Sequence, residues 1–476
     1  MLVDEPDSPQ TPSFDQTIIV VGAGLAGLTA AHSALQLGSR VILLDKKSRL
    51  GGNSVKASSG INGVPTRAQQ ARQIQDSVQA FNKDTTISAG SLARPDLIDT
   101  LTASSAPALT WLEAFGLDFD VVVRLGGHSQ PRSHRPKGGP PGYLITTTLQ
   151  QRLEELASQP GARVRIRSNA RVIDVLEADG SVAGVEVQDA ITGAKKRLLG
   201  KVIVASGGFS TDINKSGLIA KHRPDLLSLP TTSGDHTTGD LHKILSQKAA
   251  LVDLDQVQIH PTGFLDPADI HARTKVLAAE ALRGTGAILV DAKGRRFVNE
   301  LGRRDHVTTR IQCVLSSSFG PIRMLMNEDA LAEVAEHGAF YLKKGLMTKY
   351  ENITDLALSS AMDSKTLALT LKTYEASASQ GHDEFGKEYF HNTVFTDGRP
   401  VYSALVTPVI HYCMGGLLVN DHAQVQDKQG KTIPNLYACG EAAGGVHGAN
   451  RLGGSSLLEC VVFGRLAAEA AVKEES

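Results

Sequence analysis

Cysteine is scarce in this chain: Cys313, Cys413, Cys439 and Cys460 are the only four in 476 residues. They form no CxxC pair, no CxxCH haem-attachment motif and no metal-ligand spacing, so built-in haem and iron–sulfur centres are excluded and no metal site is expected. All four read as reduced core residues. An excess of one charge is missing too, since 49 Lys and Arg face 50 Asp and Glu for a formal net charge of −1. So balanced a chain has no electrostatic footprint for nucleic acid or anionic lipid, and neither partner is expected. No uninterrupted apolar run is long enough for a transmembrane helix. The first sixteen residues, acidic and proline-bearing, lack the basic start of a secretory signal, and the C-terminal KEES is neither a retention nor a peroxisomal address. The expectation is a soluble protein of the cytoplasm or the mitochondrion, its compartment unassigned.

What the chain does have is glycine, 46 residues in all. That exceeds the roughly 7% of ordinary usage and follows no fibrous period, so the excess belongs to particular backbone positions. The hydrophobic pattern alternates between strand and helix. Thr17–Val21 is an apolar β-branched run, Leu25–Leu37 has helical periodicity closed by Gly38, and Arg40–Asp45 is a second apolar run. The three form a parallel βαβ unit. Ala162–Arg167, an antiparallel excursion over Val172–Leu176 and Val182–Gln188, and the buried-type strand Lys201–Ala205 follow. Asn327–His337 and Ser364–Gln380 read as helices, Gly416–Val419 and Asn435–Ala438 as strands, and Leu457–Val472 as an apolar helix. The fold class is α/β. A disordered segment at 1–15 precedes a first domain at 16–258 and 406–476, which a second domain at 259–405 interrupts.

The glycines gather where a dinucleotide would be held. Gly22, Ala23, Gly24 and Gly27 make a GxGxxG turn between strand and helix, and Asp45 ends the next strand 18 residues after Gly27. Gly22 serves the turn, Gly24 admits a pyrophosphate to the helix N-terminus, Gly27 lets helix and strand pack, and Asp45 accepts from ribose hydroxyls. Gly51, Gly52, Asn53 and Ser54 follow that acid, and Gly440 and Glu441 follow a distant strand. A second site near the C-terminus favours FAD over NAD and makes this a two-dinucleotide-binding-domain, Rossmann-like flavoprotein. Lys46, Gly60, Ala205 and Gly207 complete the candidate cofactor set with Ser456 and Leu457, where a glycine–serine helix start offers unpaired N–H groups to a flavin anion.

Four blocks carry a family resemblance: His260-Pro261-Thr262-Gly263, Ala279–Asp305, His411–Gly416 and His447–Gly454. With them the chain, from about residue 16 onward, resembles the soluble fumarate reductase flavoproteins of the fumarate reductase and succinate dehydrogenase superfamily. The resemblance implies that FAD-bound enzymes of this kind reduce fumarate to succinate beneath an inserted α+β capping domain. It places His260, His411 and Arg451, with Gly454, around the substrate carboxylates, makes Arg304 the proton donor, and makes Glu280 and Arg283 a proton relay. Arg451 also falls in the cofactor set. Flavocytochrome-type members carry Thr just before the relay glutamate, where this chain has Ala279. Membrane-complex relatives attach FAD through a His in the segment matching Asn53–Gly60, which here contains none, so noncovalent FAD is expected, with electrons from a separate donor. Reduction of another enoate such as urocanate, or the reverse dehydrogenase reaction, is the alternative. The residues themselves suit a dicarboxylate, because Arg grips a carboxylate through two parallel hydrogen bonds.

Overall fold

The computed structural model describes residues 17–317 and 320–473; the segment 1–15, expected to be disordered, lies outside the described residues. Thr17–Val21 is buried along its whole length because it sits inside a parallel sheet covered on both faces, which is why its residues are uniformly apolar or β-branched. It pairs on one side with Arg40–Leu44 and on the other with Lys201–Val204. Val164–Arg167 and Thr432–Ala438 extend the sheet in parallel, and Gln424–Gln426 closes one edge antiparallel. The helix Leu25–Gln36 is buried from Leu25 to Leu35 because it lies between this sheet and the C-terminal helix Ser455–Lys473. Close approach there needs small residues: a Cβ on Gly464 would lie 2.9 Å from the Ala26 carbonyl oxygen. The expected antiparallel excursion has three strands, Ala170–Ala178, Ser181–Asp189 and Lys195–Leu199.

A second, antiparallel sheet runs Val257–Phe264, Val401–Cys413, Ile322–Asn327, Ile288–Val290. Its side chains divide by strand periodicity between two cores. Leu289, Met324 and Met326 face one; Ile288, Val290 and Leu325 face the other. Helices Arg304–Ser316 and Ser364–Gln380 lie over these cores. The stretch Asn327–His337, read as one helix, departs from that reading. Asn327 ends a strand and caps a short helix at Glu328–Ala332 through its side chain, and a separate helix begins at Ala335. Asn is a strong cap and a weak interior residue, so the chain turns there. Both expected domain boundaries, 258/259 and 405/406, fall inside strands that pair with each other, Ile259 opposite Ile410 and Phe264 opposite Val406. Of the cysteines, Cys413, Cys439 and Cys460 are buried, but Cys313 is exposed, because it lies on the outer side of the helix Arg304–Ser316. Among the described residues no helix is long and apolar enough to cross a membrane, and no cluster of His, Cys, Asp or Glu could hold a metal.

Candidate active site

Most of the expected cofactor residues border one cleft of about 530 Å³. They are Gly22, Gly24, Asp45, Lys46, Gly52, Asn53, Ser54, Gly60, Ala205, Gly207, Glu441, Arg451, Ser456 and Leu457. Ala23, Gly27, Gly51 and Gly440 do not border it and act on its shape. Gly22 has φ +108° and a Cβ there would lie 2.3 Å from the Ala205 carbonyl oxygen, while one on Gly27 would lie 1.8 Å from that of Gly22. Strand, turn and helix therefore meet as the GxGxxG pattern requires. Asp45 accepts from the Ala23 and Lys47 main-chain N–H groups at 2.9 and 2.8 Å, which fixes its carboxylate at the end of its strand. Ser54 accepts from Leu25 N–H at 3.1 Å in the first turn of the helix. Lys46 reaches the cleft, but its ammonium is held by Asp240 and Thr238. Glu441, half-buried at the cleft, accepts from Cys413 N–H at 2.9 Å, and desolvation pushes its carboxyl up to about 7.

At the other end the cleft reaches Arg304, His411, Tyr412 and Gly454. Two of the groups that shape this end come from the antiparallel ribbon, and its irregularities aim them. The register of Val257–Phe264 against Val401–Cys413 shifts between Gln258 and Ile259 and again between His260 and Gly263. Pro261 cannot donate to a ladder, and bulges turn side chains out of the pleat. His260 and His411 thereby come together, ring centroids 5.1 Å apart and planes tilted by 59°, His260 buried and His411 half-buried at the cleft. The Thr232 hydroxyl lies 2.7 Å from His411 Nδ1; donating there, it leaves Nε2–H as the ring's donor. Burial, then Arg304, holds both imidazoles well below their usual value, so both are neutral near pH 7.

Glu280 opens the helix Glu280–Gly284, and Arg304 opens the helix Arg304–Ser316. Arg304 Nε donates to Glu280 Oε2 at 2.7 Å, Nη2 lies 2.5 Å from the same oxygen, and Nη1 donates to Gln258 Oε1 at 2.7 Å. Glu280 Oε1 accepts from Gly126 N–H at 2.7 Å, and Oε2 lies 3.9 Å from His260 Nε2. Burial alone would raise the Glu280 carboxyl, but Arg304 and Arg283 outweigh it and bring it down to about 2. Arg283 donates through Nη1 to the Glu300 carbonyl oxygen, while its Nε and Nη2 are buried without a protein partner. Arg451 lies over the Tyr412 ring, 4.4 Å from its centroid, donates to the Leu452 carbonyl oxygen, and has a buried, unpartnered Nε. Burial brings its guanidinium down to about 10, still cationic. Gly454 has φ +78°, and Asn62 donates from its backbone to the Gly454 carbonyl oxygen at 3.2 Å.

Charge is the outstanding property of this end. Arg283, Arg304 and Arg451 are at most 3% exposed, and Glu280 is the one carboxylate paired among them. Glu300 is taken by Arg296 and Lys387. With neutral histidines, the three guanidiniums outnumber Glu280 by two, an excess only partly offset by Glu441, whose carboxyl stands at about 7. Buried charge of that kind is tolerated where it meets an anion.

Gln258, Thr232, Tyr412, Asn62 and Gly126 also shape the site, and the motifs did not single them out. Gln258 stands two residues before His260 on the same strand, and its Nε2 donates to the Arg451 carbonyl oxygen at 2.7 Å, tying Arg304 to the Arg451 loop. That two-residue spacing was its available signal. Thr232 offered none, since only the fold brings it to His411.

The buried histidines set an acid limit on stability. Burial lowers His128, His134, His242 and His337 to about 4. A group depressed in the native state binds protons first in the unfolded chain, so its contribution is complete above pH 6.5 and is lost as pH falls from there towards 4. Each is expected to cost about 1.4 kcal/mol per pH unit across that window. Urea unfolding midpoints measured from pH 7.5 to 5 should fall steadily; a constant midpoint would contradict neutral burial of these rings.

Fold and cleft are those of a flavoprotein. The chain belongs to the FAD-binding family, whose domain description "FAD binding domain" matches residues 17–457, and FAD is its cofactor. The site fits the group: Gly207, at φ +72°, borders the cleft where a side chain would project into open space, and the cradle at Gly22 admits no Cβ. Within the family the chain is similar to the fumarate reductase of Schizosaccharomyces pombe, 45% identical over 467 residues, 95% of this chain and 88% of that protein. Fumarate reductase 1 of Saccharomyces cerevisiae is 41% identical over 469 residues, covering 95% and 97%. A flavocytochrome c3 fumarate reductase solved in an open conformation superposes with TM-score 0.74 at 33% identity, covering 97% of this chain and 79% of that one.

Proposed function

We propose that this protein reduces the double bond of fumarate to give succinate. The observation that carries this reading is the excess of buried arginines, Arg283, Arg304 and Arg451, over the one carboxylate paired among them at the Arg304–Arg451 end of a flavin cleft, which suits a small dianion. Similarity to the two fungal fumarate reductases over nearly their whole length supports it. When bound, FAD supplies hydride to one alkene carbon. The Gly22–Gly27 turn, Asp45 and the Ser455–Lys473 helix start would hold it.

The chain's own residues do the rest. Arg451 and His411 hold one carboxylate, and His260 takes part in holding the other. Arg304 delivers a proton to the second alkene carbon. A guanidinium is a weak acid, but the carbon it protonates is a developing carbanion, and the cation stabilises that charge before the proton moves. Glu280, ionised and in contact with Arg304, takes a proton from Arg283 and passes it to Arg304 once Arg304 has given up its own, and solvent restores the proton to Arg283. Segment 259–405 acts as the cap that excludes water. A separate donor reduces the flavin.

Arg451 supplies a direct check. Arg451→Lys keeps a charge but loses the fork and the stacking on Tyr412, so KM for fumarate should rise and kcat fall, together by about tenfold or more. Wild-type values for both would remove Arg451 from the carboxylate. For the reaction itself, anaerobic turnover with reduced viologen should show fumarate consumed and urocanate, with its single carboxylate, left at least about a hundredfold slower, as expected when a site's charged partner goes unpaired. Preference for urocanate would overturn the reading.

A further inference from the structure

We infer that Ser59 is a substrate-binding residue, donating its hydroxyl proton to the fumarate carboxylate on the side away from Arg451. This rests on the functional reading above and deepens it. The chain that leads into Glu280 forms one wall of the cleft as far as Leu277, but Ala278 and Ala279, next in line, offer only methyl groups. Ser59 lies against the main-chain N–H of Glu280, the residue that follows those alanines. It borders the cleft, is 8% exposed, and its Oγ accepts from the Glu280 main-chain N–H at 3.2 Å. A hydroxyl has one proton and two acceptor positions. The Glu280 N–H uses an acceptor position, and among the described residues no protein group takes the proton, so the O–H remains for a ligand oxygen.

The position is preset. The Ser58 carbonyl oxygen accepts from His337 Nε2 at 3.0 Å, and Gly60, at φ +135°, places its backbone against His134, where a Cβ would lie 2.7 Å from the carbonyl oxygen. Both neighbours of Ser59 are held, and a donor fixed in advance loses little entropy on binding. Two nearby donors are engaged: Lys275 donates to the Ile270 carbonyl oxygen at 2.6 Å, and Thr232 serves His411. The neighbouring Ser58 hydroxyl, also at the cleft, is buried without a protein partner, but only Ser59 is tied to Glu280. A neutral donor also suits the charge count, because the arginines already match a dianion. The same hydroxyl links recognition to chemistry, since it touches the residue whose carboxylate holds Arg304.

The test separates a grip on substrate from a mere anchor for Glu280. Ser59→Ala, with Ser59→Gly as a second variant lacking the hydroxyl, should raise KM for fumarate about ten- to a hundredfold, the loss expected for one hydrogen bond to a charged group. The dissociation constant of succinate, read from the oxidised flavin spectrum, should rise in parallel. Flavin content, kcat and the pH profile of kcat should stay near wild type. If KM holds while kcat and its pH profile move, Ser59 only anchors Glu280 and the inference is overturned. Wild-type values throughout overturn it as well. Should the wild-type protein itself fail to reduce fumarate, the functional reading fails and takes this inference with it; a working wild type with unaffected Ser59 variants sinks the inference alone.

Discussion

Arg304→Ala is expected to keep its flavin, to be reduced by dithionite, and to lose at least about 10² to 10⁴-fold in the rate at which fumarate reoxidises it. The lower bound is the usual worth of a positioned general acid. A further loss is expected because the guanidinium also stabilises charge developing on carbon, in a site closed to water. The substitution has a second consequence, which must be measured beside the first. Arg304 is the cation against Glu280, whose carboxyl stands at about 2. Removing it leaves a buried carboxylate without its strongest partner, a change worth roughly 3–5 kcal/mol when the charge stays. Unfolding of Arg304→Ala should therefore be recorded to show that the variant is folded where its rate is read. Arg303 is the internal control. It points outward, pairs with Asp305 and is about two-fifths exposed, so Arg303→Ala should react at close to the wild-type rate. Full activity in Arg304→Ala would remove the proton donor from the mechanism, and inactivity confined to Arg303→Ala would assign the role to its neighbour.

The second large effect lies at the cofactor. Gly22→Ala should purify with less than about a tenth of the wild-type flavin content, because the added methyl has nowhere to go. The backbone is left-handed at φ +108°, and the Ala205 carbonyl oxygen and Ser206 Cα stand 2.3 and 2.9 Å from the new atom. These are backbone atoms of the neighbouring crossover, so no side chain can swing aside. Overpacking costs about 1–3 kcal/mol and left-handed strain about as much again, a large share of the 5–15 kcal/mol that holds a typical domain. Moving the turn also moves the helix start that faces the pyrophosphate. Gly193→Ala is the matched control: it is left-handed at φ +74° but has open space around it, so only the strain applies and flavin content should be unchanged. Normal flavin occupancy in Gly22→Ala would show that the turn does not bear on the cofactor.

Much of this was legible in the chain because local physics dominates there. The first strand, helix and second strand were visible as apolar runs and helical periodicity, and their glycines as the reason they could meet. The antiparallel sheet was harder to read. Its edge strand Ile288–Val290 and the neighbouring Ile322–Asn327 face two cores at once, so neither shows a regular polar alternation, and the short helices that follow blurred into one. Arg451 and His411 stood out by their glycine-rich surroundings. Gln258, Thr232 and Ser59 did not, since each gains its place from a partner 179 or more residues away: Arg451, His411 and Glu280. The burial of Glu280 and Arg283 was likewise invisible, for an i, i+3 acid–base pair on a short helix is ordinarily a solvated one.

The central claim is that reduced flavin in this cleft passes its electrons to fumarate. It is tested most directly by reducing the purified protein stoichiometrically under anaerobic conditions, mixing it with fumarate in a stopped-flow instrument, and quantifying the product. The expected result is full return of the oxidised flavin spectrum, at a rate that saturates with fumarate, and one succinate formed per FAD. Flavin that stays reduced at saturating fumarate, or reoxidises without yielding succinate, would contradict the account.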